Sequence, residues 1–198
     1  MRPKIGIYSG TFDPVHVGHV QFALQAIEDL GLQKVVFLPE ANPRGKINVT
    51  DIRQRIEMLK IATSLQKNIE IEDLNCDKFS VSETMPLLQQ KYPDYELVFL
   101  LGSDVVKTFV YRWQGLQDFL ANFDLAIALR KQDKQSEIEQ IIKDLKMPCN
   151  FNFIQNQHSQ LASTKIRRGQ HYITDIDPGV ADYIVDNSLY EAGDISTE

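Results

Sequence analysis

The feature that most constrains this chain is a change of period near its start. Lys4–Tyr8, "KIGIY", is a continuous apolar run of strand length. Through "SGTFDPVHVGH" it gives way to apolar residues spaced along one helical face from Val17 to Leu30, where Gly31 stops them. A buried strand that feeds an amphipathic helix begins a crossover, and a crossover needs a second parallel strand. The next apolar run, Lys34–Pro39, can supply it.

The alternation continues. The polar loop "EANPRGKINV" leads to a helix capped by Thr50 or Asp51. "NIEIEDL" reads as a short strand near Glu70, and "SVSETMPLLQQKY" as a weaker helix, because Pro86 must lie in its first turn or break it. Glu96–Gly102 and Phe123–Arg130 read as strands, "QSEIEQIIKDLK" as an amphipathic helix, "NFNFIQ" as a last strand and "PGVADYIVDNSLY" as a closing helix. The pattern predicts one α/β domain over residues 1–190: doubly wound, mostly parallel, with helices on both faces. "EAGDISTE", residues 191–198, reads as a flexible tail. Ligands of such sheets bind beyond the carboxyl ends of the strands, where strand order reverses.

Composition narrows the partners. The 198 residues are 43% hydrophobic, enough for one substantial core. A net charge of -6 gives no bulk attraction to nucleic acid or an anionic membrane. A polyanion would have to be met by locally placed Lys and Arg. Cys76 and Cys149, the two cysteines, stand outside any paired motif, which favours a reducing interior. The first apolar run is too short for a signal peptide, and no window approaches the roughly 20 apolar residues of a membrane span. The expectation is a cytoplasmic protein; a homo-oligomer is neither required nor excluded.

Within "SGTFDPVHVGH", Gly10 frees the backbone for a tight turn, and Asp13-Pro14 is a turn dipeptide. His16 falls at the helix start and His19 in its first turn. Gly18 removes a side chain between them, so a ligand can approach closely. Free amides and the helix dipole favour an anion there, and imidazoles can donate to phosphate oxygens. Two other readings stay open. The histidines could share a metal if His158, His171 and the distant cysteines converged, or they could be structural. Late in the chain, "SQLASTKIRRG" offers Ser163 or Thr164 as cap of a helix whose first turn holds Ile166 and Arg167. Ser163 and Arg167, four apart, share a face, so a hydroxyl, free amides and a guanidinium could meet one anion. The plain alternative is a capped surface helix with solvated Lys165 and Arg168.

"GTFDPVHVGH" resembles the N-terminal signature of the paired-histidine nucleotidyltransferase superfamily, Rossmann-like enzymes that join a nucleoside triphosphate to a phosphate-bearing acceptor. "STKIR" resembles the Ser-Thr-x-Ile-Arg motif of the nicotinate and nicotinamide mononucleotide adenylyltransferases. The resemblance implies catalytic roles for His16, His19 and Arg167. It implies ATP contacts from Gly10, Thr11 and Phe12, and from Ser163, Thr164 and Ile166. "LGSDVVKTFVYRW" is similar to the family's Gly-x-Asp segment, which brings Gly102 and Asp104 to the ATP and stacks Trp113 on the pyridine. On the acceptor side it implies Lys46, Thr84 and Arg130. "IRQRIEML" is similar to the helix after the Lys46 loop, where Arg53 and Arg55 can equally be solvated. The chain departs from the family at Arg44-Gly45-Lys46, where a His-Lys pair is usual, at Val81 in place of a tyrosine, and at Ala162 before Ser163.

The implied reaction joins ATP to nicotinate mononucleotide, giving deamido-NAD and pyrophosphate, with Mg²⁺ held mainly by the ATP phosphates. A preference for nicotinamide mononucleotide or another phosphate acceptor stays open, as does a nucleotide-binding module without turnover.

Overall fold

In the computed structural model, strands β1 (Lys4–Gly10), β2 (Val35–Pro39), β3 (Ile69–Ile71), β4 (Glu96–Gly102), β5 (Asp124–Ala128) and β6 (Phe151–Ile154) make one sheet in the order β3-β2-β1-β4-β5-β6. Each neighbouring pair is parallel, so the sheet predicted as mostly parallel is parallel throughout these strands. The structure describes residues 2–190 apart from Asn75, Gln157, Ser159, His171 and Tyr172. The expected tail and His171 lie outside the described residues.

The strands are apolar on both sides because both faces are covered. Ile5, Ile7, Val36, Phe99 and Leu101 pack on one face with Leu88 and Phe119. Val35, Phe37, Val98 and Leu100 pack on the other with Phe22, Ala23 and Met58. Strand alternation thus splits one sheet into two cores.

Helix α1 (Val17–Leu30) ends at Gly31, whose φ of 62° is the left-handed stop its sequence announces. Helix α2 (Ile52–Thr63) is capped by the Asp51 side chain, which accepts from Arg53 N–H at 2.8 Å. Helix α3 (Thr84–Lys91) carries Pro86 in its first turn. Between β4 and β5 the chain forms α4 (Ser103–Lys107), a 3-10 turn (Thr108–Tyr111) and α5 (Leu116–Asn122). The sequence reading left these out. Positive φ at Arg112 and Gly115 cuts the segment into pieces too short to show a helical period. Helices α6 (Gln135–Leu145), α7 (Ser163–Arg167) and α8 (Pro178–Asp186) follow.

The register pairs Gly10 with Pro39 and Gly102 with Ala128, which aligns the carboxyl ends of β1, β2, β4 and β5. The chain leaves β1 toward β2 and returns on the other side at β4. That reversal is where a ligand crevice is expected.

Candidate active site

The turn after β1 is built differently from its sequence reading. Gly10 is the last residue of β1, and the left-handed residue is Phe12, with φ 49°. What Gly10 provides is room: a Cβ there would stand 3.0 Å from the Phe12 ring. Gly18 also makes room, but not for a ligand. A Cβ there would meet the His16 ring at 3.1 Å and His158 Cβ at 3.2 Å. His158 is half-buried against the start of α1.

His16 caps α1 and is buried. Its ring stacks on His19, centroids 3.6 Å apart. The His16 backbone N–H donates to His19 Nδ1 at 3.2 Å. An accepting Nδ1 places the His19 proton on Nε2, which becomes the free donor. His16 Nδ1 is buried and has no hydrogen-bond partner among the described residues. Burial, then the Arg130 charge, lowers the His16 pKa to about 3; burial, then His16 and Arg130, holds His19 well below its ordinary value. Both imidazoles are therefore neutral donors near pH 7.

Helix α7 closes against this turn. Ser163 Oγ donates to the Pro14 carbonyl at 2.9 Å, and Arg167 donates to the Asp13 carbonyl and to Thr164 Oγ1. The cap is Ala162, not Ser163 or Thr164, because the Ser163 hydroxyl is spent on the other motif. Two segments 149 positions apart thus form one wall.

More cations converge. Lys46 Nζ donates to Thr11 Oγ1 at 2.7 Å, and partial desolvation beside Arg167 lowers its pKa. Arg130 Nε pairs with Asp104 at 3.2 Å. A Cβ on Gly102 would lie 2.2 Å from that carboxylate, so only glycine lets Asp104 fold back over the strand end. Beneath the turn lies Arg55, wholly buried. Its guanidinium donates to the carbonyls of Thr11, Glu40, Ala41 and Thr50 at 2.7–3.2 Å. It ties the loops after β1 and β2 to the start of α2. The sequence left Arg53 and Arg55 equally open to solvent; only Arg53 is exposed.

His16, His19, Lys46, Arg130, Ser163 and Arg167 line a cleft of about 730 Å³. Part of its lining is apolar, with Phe79, Val81 and Trp113. Trp113 lines the cleft and packs on Phe109 and Phe119, centroids 6.0 and 5.6 Å away. A second cavity, about 790 Å³, opens at the opposite end of the sheet, where Lys4 is already paired with Asp124 and Glu96.

With that geometry in place, the cytidylyltransferase-like family matches residues 7–169. A nicotinate-nucleotide adenylyltransferase of Bacillus subtilis is 30% identical over 96% of this chain and 99% of its own length. The chain belongs to the nicotinate-nucleotide adenylyltransferase family. A probable family member from Neisseria meningitidis serogroup B is 28% identical over 95% of this chain and 98% of its own. A Plasmodium falciparum nicotinic acid mononucleotide adenylyltransferase complexed with NaAD shares the fold, with a TM-score of 0.79 and 22% identity over 95% of this chain and 97% of that one.

Against the family pattern, the structure brings Gly10, Thr11, Phe12, His16, His19, Gly102 and Asp104 to the cleft. It brings Lys46, Trp113, Arg130, Ser163, Thr164 and Arg167 there too. Two residues go elsewhere. Ile166 is buried in the core, because its side chain leaves α7 on the apolar face. Thr84 is buried too, its hydroxyl accepting from Ser80 N–H and donating to the Lys78 carbonyl. It shapes the loop that lines the cleft, 78–81, rather than the cleft itself. Among the described residues no three His, Cys, Asp or Glu side chains gather as around a metal ion. No described helix is long and apolar enough to cross a membrane.

Proposed function

We propose that this chain transfers the adenylyl group of ATP to nicotinate mononucleotide, giving deamido-NAD and pyrophosphate in NAD biosynthesis. The observation that carries the reading is the junction of the two motifs, Ser163 on Pro14 and Arg167 on Asp13. Beside that junction the same cleft holds two neutral imidazoles, Lys46, Arg130 and the rings of Phe79 and Trp113, which can take a pyridine. The names of the relatives support the same substrate pair.

The acceptor phosphate is already largely ionised near neutral pH, so no general base is needed to make it a nucleophile. It attacks the α-phosphorus in line, and pyrophosphate leaves. The protein's work is to position the two nucleotides and to meet charge as it shifts toward the leaving group. His19 Nε2–H is a preorganised donor for that charge. Arg167, Lys46 and Arg130 add positive potential. The donor set suits phosphate oxygens, so the magnesium arrives as part of the substrate, MgATP, held by phosphates and water.

Pyrophosphate release with ATP and each mononucleotide in turn tests the reading. Faster release with the nicotinate form is expected. Release only with an acceptor of another class, or MgATP binding without release, overturns it.

A further inference from the structure

Asp13 lies in the turn between β1 and α1, and its side chain is 4% exposed. A buried carboxylate on the wall of a phosphate site is unfavourable unless its lone pairs are held. Here they are. Oδ1 accepts from Tyr190 O–H at 2.6 Å, and Oδ2 accepts from Thr50 N–H at 3.3 Å. Oδ2 also faces the Arg167 guanidinium at 3.9 Å, while the Asp13 carbonyl accepts from the same arginine.

Tyr190 follows α8 and packs on the core cluster that contains Val180. Its φ of 62° is a conformation that tyrosine rarely adopts, so the contact is made against local backbone preference. Burial, then the Asp13 charge, raises the phenol pKa and keeps it an O–H donor.

The geometry points to Tyr190 as a positioning residue for the phosphate end of the cleft, acting through Asp13 on Arg167. With Tyr190 and Thr50 occupying the carboxylate, Asp13 cannot swing onto the guanidinium as a bidentate partner. Arg167 then keeps N–H groups free for the triphosphate. Without the phenol hydroxyl, Asp13 can rotate and take them. The inference rests on the adenylyltransferase reading only in needing a triphosphate in the cleft.

The test compares wild type, Tyr190→Phe, Asp13→Asn and the double variant by titration calorimetry with MgATP and by steady-state kinetics. Tyr190→Phe removes one hydroxyl and keeps the ring. Its expected dissociation constant for MgATP is about tenfold higher, the scale of one hydrogen bond to a charged group. Binding stoichiometry and the KM for the mononucleotide stay near wild type, whereas loss of folded protein would lower the stoichiometry. Because Tyr190 acts through Asp13, the double variant should bind MgATP no worse than Asp13→Asn alone. Wild-type affinity in Tyr190→Phe, or effects that multiply in the double variant, overturns the proposal. The titration needs no turnover, so an enzyme that used another acceptor would still answer it.

Discussion

The two ends of the cleft are built by different means. At the proposed phosphate end several groups are fixed by main-chain hydrogen bonds: Arg55 on four carbonyls, Ser163 on Pro14, Arg167 on Asp13, His19 on the His16 amide. At the acceptor end the walls are side chains of loops. Phe79 and Val81 come from the stretch before α3, and Trp113 from the turn before α5. The Trp113 ring is placed by packing on Phe109 and Phe119. The difference separates two tasks. Charge stabilisation needs donors that do not move during the reaction, and backbone partners give that rigidity. Acceptor choice needs a shaped surface, which loops can vary without disturbing the chemistry.

The contrast can be broken first at Arg55. Arg55→Met would leave four carbonyls without their shared donor, and urea unfolding should show a loss of about 3 kcal/mol. A change under about 1 kcal/mol would mean the loops hold themselves in place. Next, His19→Ala should lower kcat by about 10²-fold, the scale of one preorganised donor. Near-wild-type turnover would remove His19 from the chemistry. At the other end, Trp113→Ala should raise the mononucleotide KM about tenfold, the scale of one lost base stack, with the KM for ATP little changed. An equal rise in both, or loss of fold by circular dichroism, would assign the indole to the core alone.

The last test concerns pH. The unfolded chain's His16 takes up a proton near pH 6.5, the folded one only near pH 3. Between those values the unfolded state binds more protons, so stability falls as pH falls through that window. His16→Gln should flatten that acid limb in urea midpoints measured across it. An unchanged slope would place the titration elsewhere.

The alternation of strands and helices was legible because both-face burial writes continuous apolar runs. The two segments proposed to hold phosphate were legible because helix starts, glycines and hydroxyls sit at fixed local offsets. What escaped was non-local. Arg55 is one of several cations on an exposed-looking helix, and its burial depends on the loops after β1 and β2 meeting around it. Gly18 was read as space for a ligand, but the space is filled by His16 and by His158 from 140 positions further on. Thr84 and Ile166 stand inside motifs whose other members reach the cleft, and only the direction of each side chain tells them apart. The pieces between β4 and β5 were too short to carry a period.

The junction of Asp13 and Pro14 with α7 has a consequence for synthesis. The first wall of the cleft leaves the ribosome early and its partner very late. A nascent chain can form β1, β2 and their helices long before Ser163 and Arg167 exist to meet them. A growing or truncated copy therefore lacks Ser163 and Arg167, and under the proposed function nucleotide capture becomes a property of chains translated past α7.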